Sequence, residues 1–170
     1  MLSWLTRVYI KDILGGNPLK YIFVTHNESD ESGVLSIFQK AYPNVITICS
    51  KLTARELQEF GYLGKTKVVS SANDLKDGQL QLKFIDYPSE VHLQNGLICL
   101  EENSGIMYSA DLFLRYGNVG QLIKSKWCDE VERINVEIIL NKQMLSKIKT
   151  DLLQWHPKIV AVGHGFCIEV

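Results

Sequence analysis

An imidazole and three carboxylates follow directly after an apolar, strand-like run at residues 21–24. They lie in the segment 25–33, whose sequence is THNESDESG. A loop that leaves a strand can direct His26, Glu28 and Asp30 toward a single point. One nitrogen with several oxygens is the mixed donor set that iron or manganese accepts and that a sulfur-rich zinc site does not offer. The segment therefore predicts a metal site.

The same segment also has the composition of a polar loop that caps a helix. Asp30 and Ser32 are good N-cap residues, and an acidic first turn suits the helix dipole. From the residues alone, metal ligation and helix capping both stay open.

Two further candidates also follow predicted strands. Asp111 comes after a strand predicted at 106–109, and His164 comes after one predicted at 158–162. In layered α/β folds the carboxyl ends of neighbouring strands open on one rim, so loops distant in sequence converge there. Glycines on both sides of His164 let the backbone turn sharply, although a lone histidine is often a structural residue.

The apolar periodicity of the first half alternates between helix and strand. It predicts a helix at 2–14, a strand at 21–25, a helix at 33–42 and a strand at 45–49. Thr53 followed by Glu56 matches a capping box, which predicts a short helix to Phe60. A brief strand is predicted at 67–70.

The middle third predicts antiparallel β structure. A strand is expected at 80–86 after an Asp77-Gly78 turn, and 97–101 with 106–109 form a predicted hairpin. From 119 to 155 the pattern is helical, with one long helix expected at 129–153. The last strand is expected at 158–162.

Composition and charge exclude several functions. A chain of 170 residues with 46% hydrophobic and 22% charged residues predicts one globular domain over 1–170. A formal net charge of -1 leaves no basic field for nucleic acid. The apolar runs are too short for a bilayer, and Lys11 and Asp12 interrupt any signal-like core near the start. We expect a cytoplasmic protein with no membrane or nucleic-acid partner.

The four cysteines show no CxxC pairing. Most lie in apolar, strand-like surroundings, where a free cysteine behaves as a small hydrophobe. Buried free thiols are therefore predicted at Cys49, Cys99, Cys128 and Cys167.

These residues resemble the metallo-β-lactamase fold, and within it the diiron domain of the flavodiiron proteins. The segment 21–33 (YIFVTHNESDESG) is similar to that family's YIVxNHxExDHSG, and 108–113 (YSADLF) to its FSxDxF. Residues 163–165 (GHG) resemble its terminal SHG, and the order and spacing agree from 20 to 166. Glu28 stands where zinc hydrolases of the superfamily carry a histidine, so the resemblance favours iron over zinc.

The resemblance implies an α/β fold, a metallo-β-lactamase-like αββα sandwich that lacks part of the N-terminal sheet. The edge left open would invite pairing, so a homodimer is expected. No flavodoxin-like domain is recognised in the sequence, and no resident FMN is expected.

The resemblance also implies two iron ions and a ligand set. It assigns His26, Glu28 and His92 to one iron, Asp30, Glu31 and His164 to the other, and Asp111 as the bridge. Glu31 stands where the family has a histidine, and His92 lies one residue away from the position of the family's middle histidine. Four carboxylates around two ions would favour the ferric state.

The function implied is that of a non-haem diiron protein that binds O2 or NO, as a sensor, a binder or a slow reductase. Reduction would need an external flavoprotein or rubredoxin-like electron donor. Two alternatives stay open. One is a metal-free scaffold that serves as an interaction or dimerisation module, which the changes at Glu31 and His92 favour. The other is a zinc-dependent hydrolase.

Overall fold

The computed structural model of the chain describes residues 10–87, 96–115 and 122–170, without the side chain of Glu31. The described chain forms two compact units, Met1–Val68 and Val69–Val170, and each has its own sheet. In the described part no helix is long and apolar enough to cross a bilayer.

The first unit is built on a parallel three-stranded sheet. Its strands are β1 (Tyr21–Phe23), β2 (Ile46–Cys49) and β3 (Lys65–Val68), in the order β1-β2-β3. The helices between them are α1 (Ser29–Ser32), α2 (Leu35–Ala41) and α3 (Lys51–Glu59). The parallel pairing of β1 with β2 confirms the predicted β-α-β unit. Residues 10–14 are helical, and the rest of the helix predicted at 2–14 lies outside the described residues.

Helix α3 begins earlier than the predicted capping box at Thr53, so that prediction is wrong. The N-cap is Ser50, whose Oγ accepts a hydrogen bond from the Thr53 amide at 3.1 Å. The Ser50 hydroxyl also donates to Thr53 Oγ1 at 3.0 Å. Since serine is a better N-cap than threonine, it ends β2 and starts α3 without a loop.

The core of the first unit packs α2 and α3 against the sheet. Its buried residues are Val24, Leu35, Cys49, Ala54, Leu57 and Tyr62. This core fixes Val24, whose amide donates to the Ile48 carbonyl at 2.9 Å. The end of β1, where the candidate ligand loop begins, is therefore held by packing and by the sheet.

The second unit contains a seven-stranded mixed sheet. Its strands are β4 (Leu75–Asp77), β5 (Leu80–Tyr87), β6 (Gly96–Glu101), β7 (Ile106–Ala110), β8 (Leu122–Lys124), β9 (Ile159–Val162) and β10 (Cys167–Glu169). The order is β4-β5-β6-β7-β9-β10-β8. The first four strands pair antiparallel, which confirms the prediction for the middle third. Strands β7 and β9 run parallel, so their carboxyl ends lie side by side.

The single helix predicted at 129–153 is wrong, because the chain forms two helices there. They are α4 (Trp127–Arg133) and α5 (Lys142–Leu153). Ile134 after α4 is extended, and the side-chain oxygen of Asn135 accepts the Glu137 amide at 2.8 Å. Asn141 then caps α5 by accepting two amides. Asparagine side chains that bond nearby amides compete with helix, which explains the break.

Strands β4, β8 and β10 were not predicted, and the strand expected last at 158–162 is followed by another. Each of the three missed strands has only three residues, too few to show an alternation in sequence. They form through pairing, since β4 is antiparallel to β5, and β10 is antiparallel to β9 and parallel to β8.

Helices α4 and α5 cover a large apolar core on the seven-stranded sheet. The core includes Ile98, Met107, Leu112, Phe113, Val131, Ile134, Ile148, Leu152 and Val160. The rings of Phe113 and Trp127 contact each other at a tilt of 35° with centroids 5.4 Å apart, and the Trp127 indole donates to the Leu152 carbonyl at 3.0 Å. The short 3-10 helix Asp111–Phe113 is thus anchored by its buried residues. This anchoring holds the backbone of Asp111 in place.

All four cysteines are free. Cys49 and Cys99 are buried as predicted, and burial raises the pKa of each thiol to about 12. Cys167 is half-buried, whereas Cys128 is exposed, which corrects the prediction for that residue. It lies in the first turn of α4, on a helix that buries only one face.

Candidate functional site

In the first unit, the loop after β1 brings an imidazole and a carboxylate together. His26 is 4% exposed, and its Nε2 lies 3.7 Å from Glu28 Oε2. The other ring nitrogen, Nδ1, lies 3.1 Å from the hydroxyl of Thr25. A proton on Nδ1, donated to the Thr25 oxygen, would leave the Nε2 lone pair facing Glu28.

Helix capping in this loop follows a pattern different from the one considered for Asp30 and Ser32. The N-cap of α1 is Glu28, and its side chain makes no capping hydrogen bond. The single proton of the Ser32 hydroxyl instead has two acceptors within reach, Asn27 Oδ1 at 2.7 Å and the Glu28 carbonyl at 2.8 Å. Asp30 lies within α1 and is exposed. Neither Asp30 nor Ser32 is therefore an N-cap.

A cavity of about 360 Å³ lies beside Glu28 within the first unit. Serines from α1 and α2 line its polar side, and Leu57, Phe60 and Tyr62 line its apolar side. Phe60 is 82% exposed at the rim. Tyr62 is fixed by a 2.7 Å hydrogen bond between its hydroxyl and that of Thr47. Glu28 is among the residues that line the cavity.

In the second unit, the ends of β7 and β9 bring a second carboxylate and a second imidazole together. Asp111 Oδ1 lies 3.6 Å from His164 Nε2. The Asp111 side chain is 14% exposed and that of His164 is 53% exposed. The Gly163 amide donates to the Ala110 carbonyl at 2.8 Å, which ties the two strand ends together.

The close approach of these strand ends requires a glycine at 163 and strains the residue before Asp111. A Cβ on Gly163 would lie 2.9 Å from Asp111 Oδ1 and 3.1 Å from the Ala110 carbonyl carbon. Ala110 has a φ of 46°, the single positive φ at a non-glycine residue in the described ranges. Such a backbone is costly for a residue with a Cβ and is often found where function over-determines the geometry.

Of the seven predicted ligands, the structure pairs His26 with Glu28 and Asp111 with His164. Asp30 is placed on an exposed helical turn. His92 lies outside the described residues, as does the side chain of Glu31.

Sequence reasoning missed two charged residues beside the second pair, Arg115 and Glu130. Glu130 is 1% exposed and accepts a hydrogen bond from the Arg115 guanidinium. A signal for Glu130 was present, because Trp127, Glu130, Val131 and Ile134 share one helical face at i, i+3, i+4 and i+7. A carboxylate on an apolar helix face indicates a buried partner.

The structure is similar to solved metalloprotein cores. The metal-soaked flavodiiron core from Synechocystis sp. PCC6803 aligns with a TM-score of 0.72 over 95% of this chain and 43% of that chain, at 18% identity. The chain has the fold of a flavodiiron core. The predicted fold class, an α/β fold of the metallo-β-lactamase type, is confirmed.

Two further comparisons, one with a solved structure and one with a curated sequence, also match this chain. The chemotaxis sensor ODP, solved as a peroxy diiron species, aligns with a TM-score of 0.67 over 88% of this chain and 65% of that chain, at 15% identity. The putative diflavin flavoprotein A 2 of Synechocystis sp. is 26% identical over 106 residues, which is 61% of this chain and 18% of that protein. The chain thus spans less than a fifth of that relative. No protein-family model matches the sequence.

Proposed function

We propose that the chain is a non-haem diiron protein that binds O2 or NO, as a sensor or binder, or as a slow reductase when a partner supplies electrons. One observation carries the proposal. Each unit places one imidazole against one carboxylate directly after a strand, His26 with Glu28 and Asp111 with His164.

The donor set fits iron. Imidazole nitrogen with carboxylate oxygen is a combination that non-haem iron accepts, whereas structural zinc sites are rich in thiolate. The buried thiols Cys49 and Cys99 have pKa values raised to about 12, so they stay protonated and are poor ligands. The missing Cβ of Gly163 leaves room beside the Asp111 carboxylate. When bound, two iron ions would supply redox-active centres with positions open to a diatomic ligand.

The proposed ligand set is the one that the sequence resemblance implies. It assigns His26, Glu28 and His92 to one iron, Asp30, Glu31 and His164 to the other, and Asp111 as the bridge. The fold similarity to flavodiiron cores over 95% of this chain supports the combination. Asp30, Glu31 and His92 rest on the sequence resemblance, while the two imidazole–carboxylate pairs also rest on geometry.

The chain's own residues orient the ligands. Thr25 holds Nδ1 of His26, and a metal-binding histidine commonly uses its second nitrogen in this way to fix the ring. The turn at Gly163 brings His164 to the end of β7, where Asp111 lies. Both imidazoles are therefore presented by backbone that the sheets hold in place.

A small, uncharged ligand suits the surroundings of Glu28. The cavity there has a polar side of serines and an apolar side that includes Phe60 and Leu57, and among its lining residues in the described ranges there is no lysine or arginine to recognise an anionic substrate. The chemotaxis sensor with the same fold was solved as a peroxy diiron species. We therefore favour O2 or NO as the ligand and sensing as the role.

For repeated turnover we propose an external flavoprotein or rubredoxin-like donor and no resident FMN in this domain. The matched relative is a diflavin flavoprotein, and the match covers 18% of its length. We also propose a homodimer, because β1 lies at an edge of the described three-stranded sheet and open edges pair readily.

The iron content of protein produced in iron-replete medium tests the proposal. We expect about two irons per chain, with an iron-dependent near-ultraviolet absorption that bleaches on anaerobic reduction. The double variant His26→Ala with Asp111→Ala should hold far less iron, while Cys128→Ala, at an exposed residue, should match the parent. Protein that stays colourless and metal-free after anaerobic reconstitution with Fe(II) would overturn the proposal and favour a metal-free interaction module.

A further inference from the structure

A largely buried ion pair, Arg115–Glu130, holds the end of the segment that begins at Asp111. Glu130 on α4 is 1% exposed, and the Arg115 guanidinium donates Nη2–H to its Oε2. Ser125 Oγ donates to Oε1 of the same carboxylate at 2.6 Å. Arg133, which is mostly exposed, adds a second cation 3.9 Å from Oε1. Both oxygens of Glu130 are thus engaged.

The backbone of Arg115 contacts the turn that carries His164. The Arg115 amide donates to the His164 carbonyl at 3.0 Å. A Cβ on Gly165 would lie 1.8 Å from the Arg115 carbonyl oxygen, so the two backbones touch. Gly165 has a φ of +103°, which L side chains rarely adopt. The position of the His164 turn is therefore set by where Arg115 lies.

The short segment that ends at Arg115 begins at Asp111. The Leu114 amide donates to the Asp111 carbonyl at 3.3 Å, and Leu112 and Phe113 are buried in the core. Residues 111–115 therefore form one short, braced segment with Asp111 at its start. Arg115 ends the segment and is held through its side chain.

A buried ion pair is weak evidence for stability, because the desolvation of both charges offsets their attraction. Apolar residues of similar volume often stabilise such a position as well or better. In the described part of the chain, Arg115 Nε is also buried without a hydrogen-bond partner. A role in fixing geometry explains the ion pair better than a role in stability, because a guanidinium held by a carboxylate has few allowed orientations.

We propose that the Arg115–Glu130 ion pair positions the Asp111–His164 pair for metal binding, with Arg115 and Glu130 as positioning residues. The inference rests on the proposed diiron function. The side chains of Arg115 and Glu130 act through backbone: Glu130 fixes Arg115, and Arg115 fixes the His164 turn. Partners of metal ligands are expected to change affinity by about 10-fold or more when removed.

The test uses Glu130→Gln, which keeps the shape of the side chain and removes its charge. The matched control is Glu132→Gln on the same helix, whose carboxylate pairs with Lys149 at 2.9 Å on an exposed face. Val131→Ala, at a fully buried neighbour, controls for a general loss of stability. Anaerobic titration with Fe(II) and with Co(II), followed by absorption, reports affinity and coordination.

We expect Glu130→Gln to weaken binding of at least one metal ion about 10-fold and to change the Co(II) spectrum. Both controls should leave the spectrum unchanged. If Glu130→Gln fails to fold, Ser125→Ala removes one bond to Glu130 and should give a smaller change in the same direction. Parent-like affinity and spectrum in a folded Glu130→Gln protein would overturn the inference.

A second measurement needs no metal and separates this inference from the proposed function. Amide hydrogen exchange in metal-free protein should show faster exchange of the Arg115 amide in Glu130→Gln, by about 10-fold, and no change in Glu132→Gln. Unchanged Arg115 protection would refute the positioning role. If the parent binds no metal but Glu130→Gln still speeds exchange of the Arg115 amide, the diiron function would be refuted. The positioning of Arg115 by Glu130 would then still stand.

Discussion

The hydroxyl of Thr25 lies 3.1 Å from Nδ1 of His26, on the side of the ring opposite the nitrogen that faces Glu28. The two residues are adjacent in sequence, and His26 is buried. This contact limits the rotation of the imidazole, and a proton on Nδ1 donated to Thr25 would leave Nε2 as the nitrogen for the proposed metal ion.

We expect Thr25→Val to weaken iron binding about 10-fold, because a histidine ligand without its second hydrogen bond is less well oriented. Thr25→Ser keeps the hydroxyl and should retain parent affinity. Competition with a chromophoric Fe(II) chelator measures the difference. Equal affinity in the valine and serine variants would show that the Thr25 hydroxyl does not support the ligand.

His164→Ala should remove about one iron per chain, since it deletes the nitrogen donor of the second pair. The O2-dependent change in absorption of the reduced protein should also be lost. Iron analysis and anaerobic mixing with O2 measure the two effects, and Cys128→Ala should behave as the parent. An unaltered O2 response in His164→Ala would remove His164 from the ligand set.

The isolated chain should reoxidise once when the reduced protein meets O2, without sustained consumption. Continuous O2 uptake with NADH should require an added flavoprotein donor, because we propose no flavin in this domain. An oxygen electrode measures uptake with and without the donor. Rapid NADH-driven uptake by the chain alone would contradict the sensor role.

The carboxyl group of Glu101 should make the free energy of unfolding depend on pH. Hydrogen bonds from the Ser104 hydroxyl and amide, with weaker ones from the Asn103 and Gln81 amides, lower the pKa of Glu101 from 4.5 to about 2. Its stabilisation is therefore complete above pH about 4.5 and is lost as the pH falls toward 2. Glu101→Gln should lower the free energy of unfolding at pH 7 by about 1 kcal/mol, a value reduced for screening by water.

Urea unfolding at pH 7, 4 and 3 checks this prediction. The difference between parent and Glu101→Gln should shrink as the pH falls. Glu102→Gln, next to it, breaks a surface ion pair with Lys83 and should change stability by less than about 0.5 kcal/mol. A difference for Glu101→Gln that stays constant with pH would contradict the assignment.

Long periodic elements and the strand-end residues could be predicted from the sequence. The β-α-β unit and the antiparallel middle third are examples, because their apolar spacing is set by burial on one face. The break between α4 and α5 could not be predicted in this way, because the apolar residues around Ile134 keep the spacing of a continuous helix. Side-chain bonds of Asn135 and Asn141 decide it.

The candidate site shows the same limit. His26, Glu28, Asp111 and His164 were identifiable because each follows a strand, and polar residues there stand out by type. Arg115 and Glu130 could not be linked in sequence, because their contact depends on α4 packing beside the segment 111–115. Pairing of the three-residue strand β10 likewise follows from tertiary contacts with β9.

The burial of Cys49 and Cys99 has a consequence for a protein that would handle iron and oxygen. Thiolates are the form of cysteine that oxidants attack, and a pKa of about 12 keeps both thiols protonated at any physiological pH. Oxidative damage should therefore begin at the exposed Cys128, on the surface of α4, while Cys49 and Cys99 stay in reduced form.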